Sequence, residues 1–258
     1  MLLLKLLLLS FLFTNVFAAK YGTVFASSNL RFVFPQMIKA FYEQYPEASI
    51  HIQYEGSGVL AQEILDGIDY DLFLSANMKY PEAVYEHKKA IEAPKVYAQG
   101  KLVFYLPKEL KKKYKGKKLN EILKEEEIRK IIVANKETAP YGRASLEILK
   151  SYKIYAQIKH KIQYSQDIAT AVYELLWNDE VGFIPKSALY FFSENKNIEG
   201  DWIDVNQNRY QDIFQGYVLS KSGKNNENIL KFLTFLYSKK GQEIFHKYGY
   251  LTPQLDEK

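Results

Sequence analysis

The sequence predicts an α/β protein with mostly parallel sheets, and three observations carry that expectation. Short β-rich runs, "GTVFA", "SIHIQY", "DLFLSA", "LVFYL", "IIVA", "VGFI" and "GYVLS", alternate with stretches of helical periodicity, the pattern of strands followed by helices that pack back onto a sheet. No period of about 20 to 50 residues recurs, which argues against a repeat array. The chain has 258 residues, ample for one large or two small domains with a real core.

The first segment, "MLLLKLLLLSFLFTNVFA", has one early lysine, a short leucine-rich core and Val16-Phe17-Ala18 at its end, the features of a signal peptide. Residues 1–18 are therefore expected to be removed near Ala18, leaving an exported chain in a bacterial periplasm. No later stretch approaches the length of a membrane span. Cysteine is absent, which excludes disulfides, thiol catalysis and zinc-thiolate sites. The formal charge of +5 falls to +4 without Lys5, and the excess concentrates in "KELKKKYKGKK", residues 108–118. Because "KEEEIRK" follows and offsets it, this run reads as a solvated surface turn, not a nucleic-acid or lipid patch.

Next in order, Phe34, Met37, Ile38 and Phe41 share one face of a first helix. Pro35 kinks that helix if it is capped at Asn29; alternatively the regular helix begins near Phe34 after a looser turn. A second helix, "LAQEILDG", closes on Gly67. The tail "NILKFLTFLYSKKGQEIFHKYGYL" reads as one or two packing helices. Four strand-to-helix turns carry small or hydroxyl side chains: "SSN" at 27–29, "EGSG" at 55–58, "APYG" before the helix through Leu149, and "SQD" at 165–167. In the last of these helices Ile168, Val172, Leu175 and Leu176 share a face.

Each turn alone is explained by capping, since Ser and Asn side chains accept from unpaired first-turn amides. Together they place four helix starts where open α/β sheets gather ligands, outside the carboxyl ends of the strands. A helix start presents free amides and partial positive charge. None of the four mouths holds Lys or Arg; Arg143 already belongs to its helix. Neutral donors suit a small, acceptor-rich oxyanion and limit the charge to be desolvated on closure.

The ordered set "VFASSNL", "YEGSGVLAQEILDGIDYDLFLSAN", "KKAI", "KLVFYLP", "ANKETAPYGRASLEIL" and "VGFIPKSAL" resembles the periplasmic molybdate-binding proteins that feed ABC transporters, over nearly the whole mature chain. The resemblance implies a type II periplasmic binding fold: two α/β lobes joined by a two-strand hinge, with the ligand cleft between them. Lobe I is expected to combine residues 19–100 and 216–258, and lobe II residues 101–215, with "GKLVFYLP" and "FQGYVLSK" as the crossing strands. The implied oxyanion ligands are Ser28 and Asn29 in the first turn, Ser57 in the second, Tyr141 in "APYG" and Ile168 at the start of "IATA". Ser27 is left a structural role. One branch of the family adds a tyrosine after the "GFI"-like strand; here that position is Pro185, which donates nothing. The implied function is capture of molybdate or tungstate and delivery to ABC transporter permease subunits, by a monomer with no cofactor and no catalytic turnover. Discrimination against sulfate is expected from cavity size.

Other readings are a receptor for another oxyanion or small organic anion, and a secreted serine hydrolase using Ser57. The hydrolase needs G-x-S-x-G, and Glu55-Gly56-Ser57-Gly58-Val59 lacks both outer glycines. His51, His87, His160 and His246 show no metal-ligand spacing, and "DYD" at 69–71 reads as a turn before a buried strand. No phosphate-binding loop of the G-x-x-x-x-G-K-[ST] type is present, which leaves nucleotide hydrolysis to a separate subunit. The 21 Tyr and 16 Phe could line an organic-solute pocket, but they fall mainly at core-like spacing.

Overall fold

The structure is a computed structural model that describes residues 21–194 and 200–252; the expected signal peptide lies outside them. The described strands, in chain order, are β1 (Gly22–Ser27), β2 (Ile50–Glu55), β3 (Leu72–Ser75), β4 (Lys95–Gly100), β5 (Leu102–Leu106), β6 (Ile131–Ala134), β7 (Ile162–Ser165), β8 (Val181–Pro185), β9 (Asp201–Asp204) and β10 (Ile213–Leu219). They form two five-stranded sheets, ordered β2-β1-β3-β10-β4 and β7-β6-β8-β5-β9.

Both sheets follow one plan. β1 runs parallel to β2 and β3, as β6 does to β7 and β8. The strand that has just crossed between lobes, β10 or β5, then enters antiparallel to both its neighbours. Each sheet is therefore mixed, where the alternation of strands and helices alone predicted a mostly parallel one. The chain crosses once between Gly100 and Leu102 and returns between β9 and β10. Gly100 pairs with Ile213, so the two crossings lie side by side as a hinge.

Period-two alternation buries both faces of the first sheet. Val24, Ala26, Leu72 and Leu74 join one core with Phe34, Phe41, Phe232 and Phe245. Phe25, Phe73 and Val218 point the other way, against Leu60, Ile64 and Val84. The second lobe packs one larger core, which also takes in Phe32 and Ala76 from the first. Those two residues seal the lobes together.

Pro35 kinks nothing. Ser28–Phe32 form a short 3₁₀ turn, and the regular helix Phe34–Gln44 starts afterwards with Pro35 in its first turn, where a missing N–H breaks no intrahelical bond. Gly67, at φ +102°, ends helix Ser57–Leu65. Gly67 N–H donates to Ile64 O and Ile68 N–H to Glu63 O, the paired bonds of a Schellman cap. The tail is two helices, Glu227–Tyr237 and Lys239–Lys247, divided at Ser238, whose hydroxyl accepts from Gly241 N–H at 3.1 Å. In the basic run, Lys113 pairs with Glu127, Lys117 with Glu125 at 2.6 Å and Lys111 with Asp201 at 3.3 Å, so the acidic segment does offset it. No helix among the described residues is long and apolar enough to cross a membrane.

Candidate functional site

β1, β2, β6 and β7 run parallel within their sheets, and each ends just before a helical turn: Ser28–Phe32, Ser57–Leu65, Pro140–Ser151 and Ile168–Trp177. The first two belong to one lobe and the last two to the other. Contacts between the lobes bring the turns together. Gly58 N–H donates to Thr138 O at 2.9 Å, and Tyr80 OH donates to Glu137 O at 2.6 Å. Gln166 Nε2 donates to Glu55 Oε2 at 3.4 Å. A Cβ on Gly58 would lie 2.9 Å from Thr138 Cα and 2.8 Å from Tyr80 OH. The glycine after Ser57 therefore makes room for the opposite lobe.

Ser28 is buried, and its hydroxyl has no protein partner. Ser57 Oγ accepts from Ala76 N–H at 3.0 Å and donates to Ser27 Oγ at 2.9 Å. A hydroxyl proton rotates to suit its partners. Ser57 donates to Ser27 here, and turning that proton away from Ser27 lets Ser57 donate into the cleft. Ser27 thus holds Ser57 in place, and its side chain makes no capping bond to the 3₁₀ turn that it precedes.

The first turns supply main-chain donors. Pro140 opens its helix without an N–H, so Tyr141 carries the first amide there. Asp167 caps the helix at Ile168 by accepting from Thr170 N–H at 2.8 Å. That bond leaves the amides of Ile168 and Ala169 without intrahelical acceptors.

Two expected ligands also reach the hinge. Asn29 Nδ2 donates to Gln215 Oε1 at 3.1 Å and to Tyr250 OH at 2.9 Å. Its side-chain donors are engaged, leaving the main-chain N–H as its donor toward the cleft. The Tyr141 ring runs the same way: a Cβ on Gly100 would lie 2.1 Å from Tyr141 OH and 2.8 Å from Gln215 Nε2. Tyr97 OH donates to Gln215 Oε1 at 3.2 Å, and Tyr250 OH to Ser187 Oγ in the second lobe at 3.3 Å. Burial pushes the Tyr250 hydroxyl up to about 12 and holds those of Tyr97 and Tyr141 well above their ordinary value. These phenols stay neutral donors at physiological pH. Gln215 and Tyr250 had no local signal in the sequence, because their partners are distant in the chain.

Features outside the cleft have structural roles. Asp71 of "DYD" is buried and accepts from Thr23 N–H at 2.9 Å, Ser222 Oγ at 2.6 Å and Asn226 Nδ2 at 3.3 Å. Pro185 ends β8 in register with Leu102 at the hinge. Among the described residues no group of three or more His, Cys, Asp or Glu is arranged to hold a metal ion. The bonded partners of Ser57 Oγ are a hydroxyl and an amide, neither of them a base.

The family model for bacterial extracellular solute-binding proteins matches residues 23–251. The chain belongs to that family. This solute-binding protein is 28% identical over 237 residues to the molybdate-binding protein ModA of Rhodobacter capsulatus, covering 91% of this chain and 90% of that one. It is 28% identical over 196 residues to ModA of Azotobacter vinelandii, 75% of each chain. The solved structure of the Azotobacter vinelandii periplasmic molybdate-binding protein matches it at a TM-score of 0.78 and 26% identity, covering 90% of this chain and 100% of that chain. The fold expected from the resemblance, two α/β lobes about a hinge, is the fold of this solute-binding protein.

Proposed function

We propose that this chain is a periplasmic receptor for molybdate, accepting tungstate as well, and that it hands the anion to ABC transporter permease subunits. The reading is supported by uncharged helix starts in both lobes and by the contact of the lobes beside them, where Gly58 N–H donates to Thr138 O. Ser28 Oγ, Ser57 Oγ and the Asn29 amide come from one side, and the amides of Tyr141 and Ile168 from the other. A tetrahedral oxyanion is acceptor-rich, so it satisfies both halves at once and stabilises the closed form by contacting each. The likeness to two ModA proteins supports molybdate as the anion. Molybdenum is then cargo bound as its oxyanion, the protein needs no cofactor, and it acts as a monomer without turnover after export to the periplasm.

Sulfate offers similar oxygens on a smaller frame, so selection rests on cavity size. Calorimetric titration with molybdate, tungstate, sulfate and phosphate tests this: molybdate should bind one to one and displace sulfate. Sulfate binding as tightly as molybdate would end the size argument, and no binding of any oxyanion would end the proposal.

Ser57→Ala should weaken molybdate binding by about 1.5–3 kcal/mol, the range for a hydrogen bond to a charged partner. The same change removes the acceptor of Ala76 N–H and the partner of Ser27 Oγ. Wild-type affinity in that variant, measured by the same titration, would place the anion elsewhere.

A further inference from the structure

The geometry points to Thr138 as an additional side-chain ligand of the bound oxyanion, donated by the second lobe. Thr138 lies just before the Tyr141 turn, and none of the strand-to-helix motifs includes it. Its Oγ1 is buried and has no hydrogen-bond partner. An unpaired buried hydroxyl is costly to keep and calls for an acceptor.

Its position is fixed against the first lobe. Thr138 O accepts from Gly58 N–H at 2.9 Å, pinning the threonine over the start of the Ser57 helix. A Cβ on Gly56 would lie 3.7 Å from Thr138 Oγ1 and 3.8 Å from Asp167 Cβ. The hydroxyl therefore sits beside both the Ser57 turn and the Ile168 turn, while its own backbone leads into the Tyr141 turn. Three of the four helix starts meet at this residue. Asp167 Oδ1 is engaged with Thr170 N–H at 2.8 Å.

The chemistry matches the rest of the site. A threonine hydroxyl donates one hydrogen bond and adds no charge, like Ser28 Oγ, a buried hydroxyl of the first lobe without a protein partner. Ser28 from the first lobe and Thr138 from the second then each bring an unpaired hydroxyl, and closure brings them to the same anion.

This inference rests on the molybdate reading above. Thr138→Val keeps the shape and removes the hydroxyl; Thr138→Ala provides a second removal, and Thr138→Ser restores the donor. Titrated with sodium molybdate, the valine and alanine variants should bind about ten- to a hundredfold more weakly than wild type, with the ligand-free thermal midpoint of the valine variant no lower than that of wild type. The serine variant should stay within about threefold of wild type. Wild-type affinity in both the valine and alanine variants would overturn the role of Thr138 and leave the molybdate reading standing. Failure of the wild-type protein to bind molybdate would overturn both.

Discussion

Phe32→Ala should weaken anion binding by about 2–3 kcal/mol, part of the 3–5 kcal/mol typical of a buried phenylalanine truncation. Phe32 ends the 3₁₀ turn that carries Ser28 and Asn29, and it is fully buried. Its ring lies 6.1 Å from that of Tyr173, 5.9 Å from Phe191 and 5.9 Å from Phe192, all in the second lobe. Tyr173 sits on the helix that begins at Ile168. The two elements proposed to hold the anion are thus sealed by an apolar contact that opening would expose to water. Removing the ring disfavours closed over open more than folded over unfolded. Denaturant midpoints with and without molybdate separate the two effects: the stabilisation gained from ligand should shrink by more than the ligand-free stability falls. Unchanged molybdate affinity would show that this contact has no part in closure.

Gly58→Ala should impair binding to a similar degree, at a cost of about 1–3 kcal/mol, the usual price of overpacking. The added methyl meets Thr138 Cα at 2.9 Å and Tyr80 OH at 2.8 Å. Neither neighbour yields easily, because Tyr80 OH is bonded to Glu137 O at 2.6 Å and Thr138 O to Gly58 N–H at 2.9 Å. Tyr80 belongs to the same lobe as Gly58, but its bond to Glu137 O and the contact of Gly58 with Thr138 both cross between lobes, so strain falls on the closed form. Gly56→Ala is the matched control: its nearest contact, Thr138 O at 3.5 Å, is ordinary van der Waals spacing. Titration of both variants should show a marked loss for Gly58→Ala and a small one for Gly56→Ala. Equal affinities would mean that the 138 loop moves aside freely.

Much of the fold was legible in the sequence because its determinants are local. β1, β3, β6 and β8 are apolar runs buried at almost every position. β4 and β9 escaped notice because each is the outermost strand of its sheet and carries charged or polar residues, as in "KVYAQG" and "DWID". The antiparallel entry of β5 and β10 follows from the two lobe crossings, and periodicity carries no information about direction. At the site, the helix starts at Ser57, Tyr141 and Ile168 could be placed from turn chemistry and the family resemblance. The partners of Asn29 could not: Gln215 and Tyr250 lie 186 and 221 residues away along the chain. Nor could Ser27 be tied to Ser57, 30 residues on, before β1 and β2 were paired. Local rules locate the donors, and tertiary contacts decide which of them remain available.

A crystal structure of the molybdate complex tests the central claim most directly. The anion should lie between the lobes, with its oxygens within hydrogen-bond distance of Ser28 Oγ, Ser57 Oγ and the main-chain amides of Tyr141 and Ile168, and with no Lys or Arg in contact. Molybdate bound outside this cleft, or held by a lysine or arginine side chain, would contradict it.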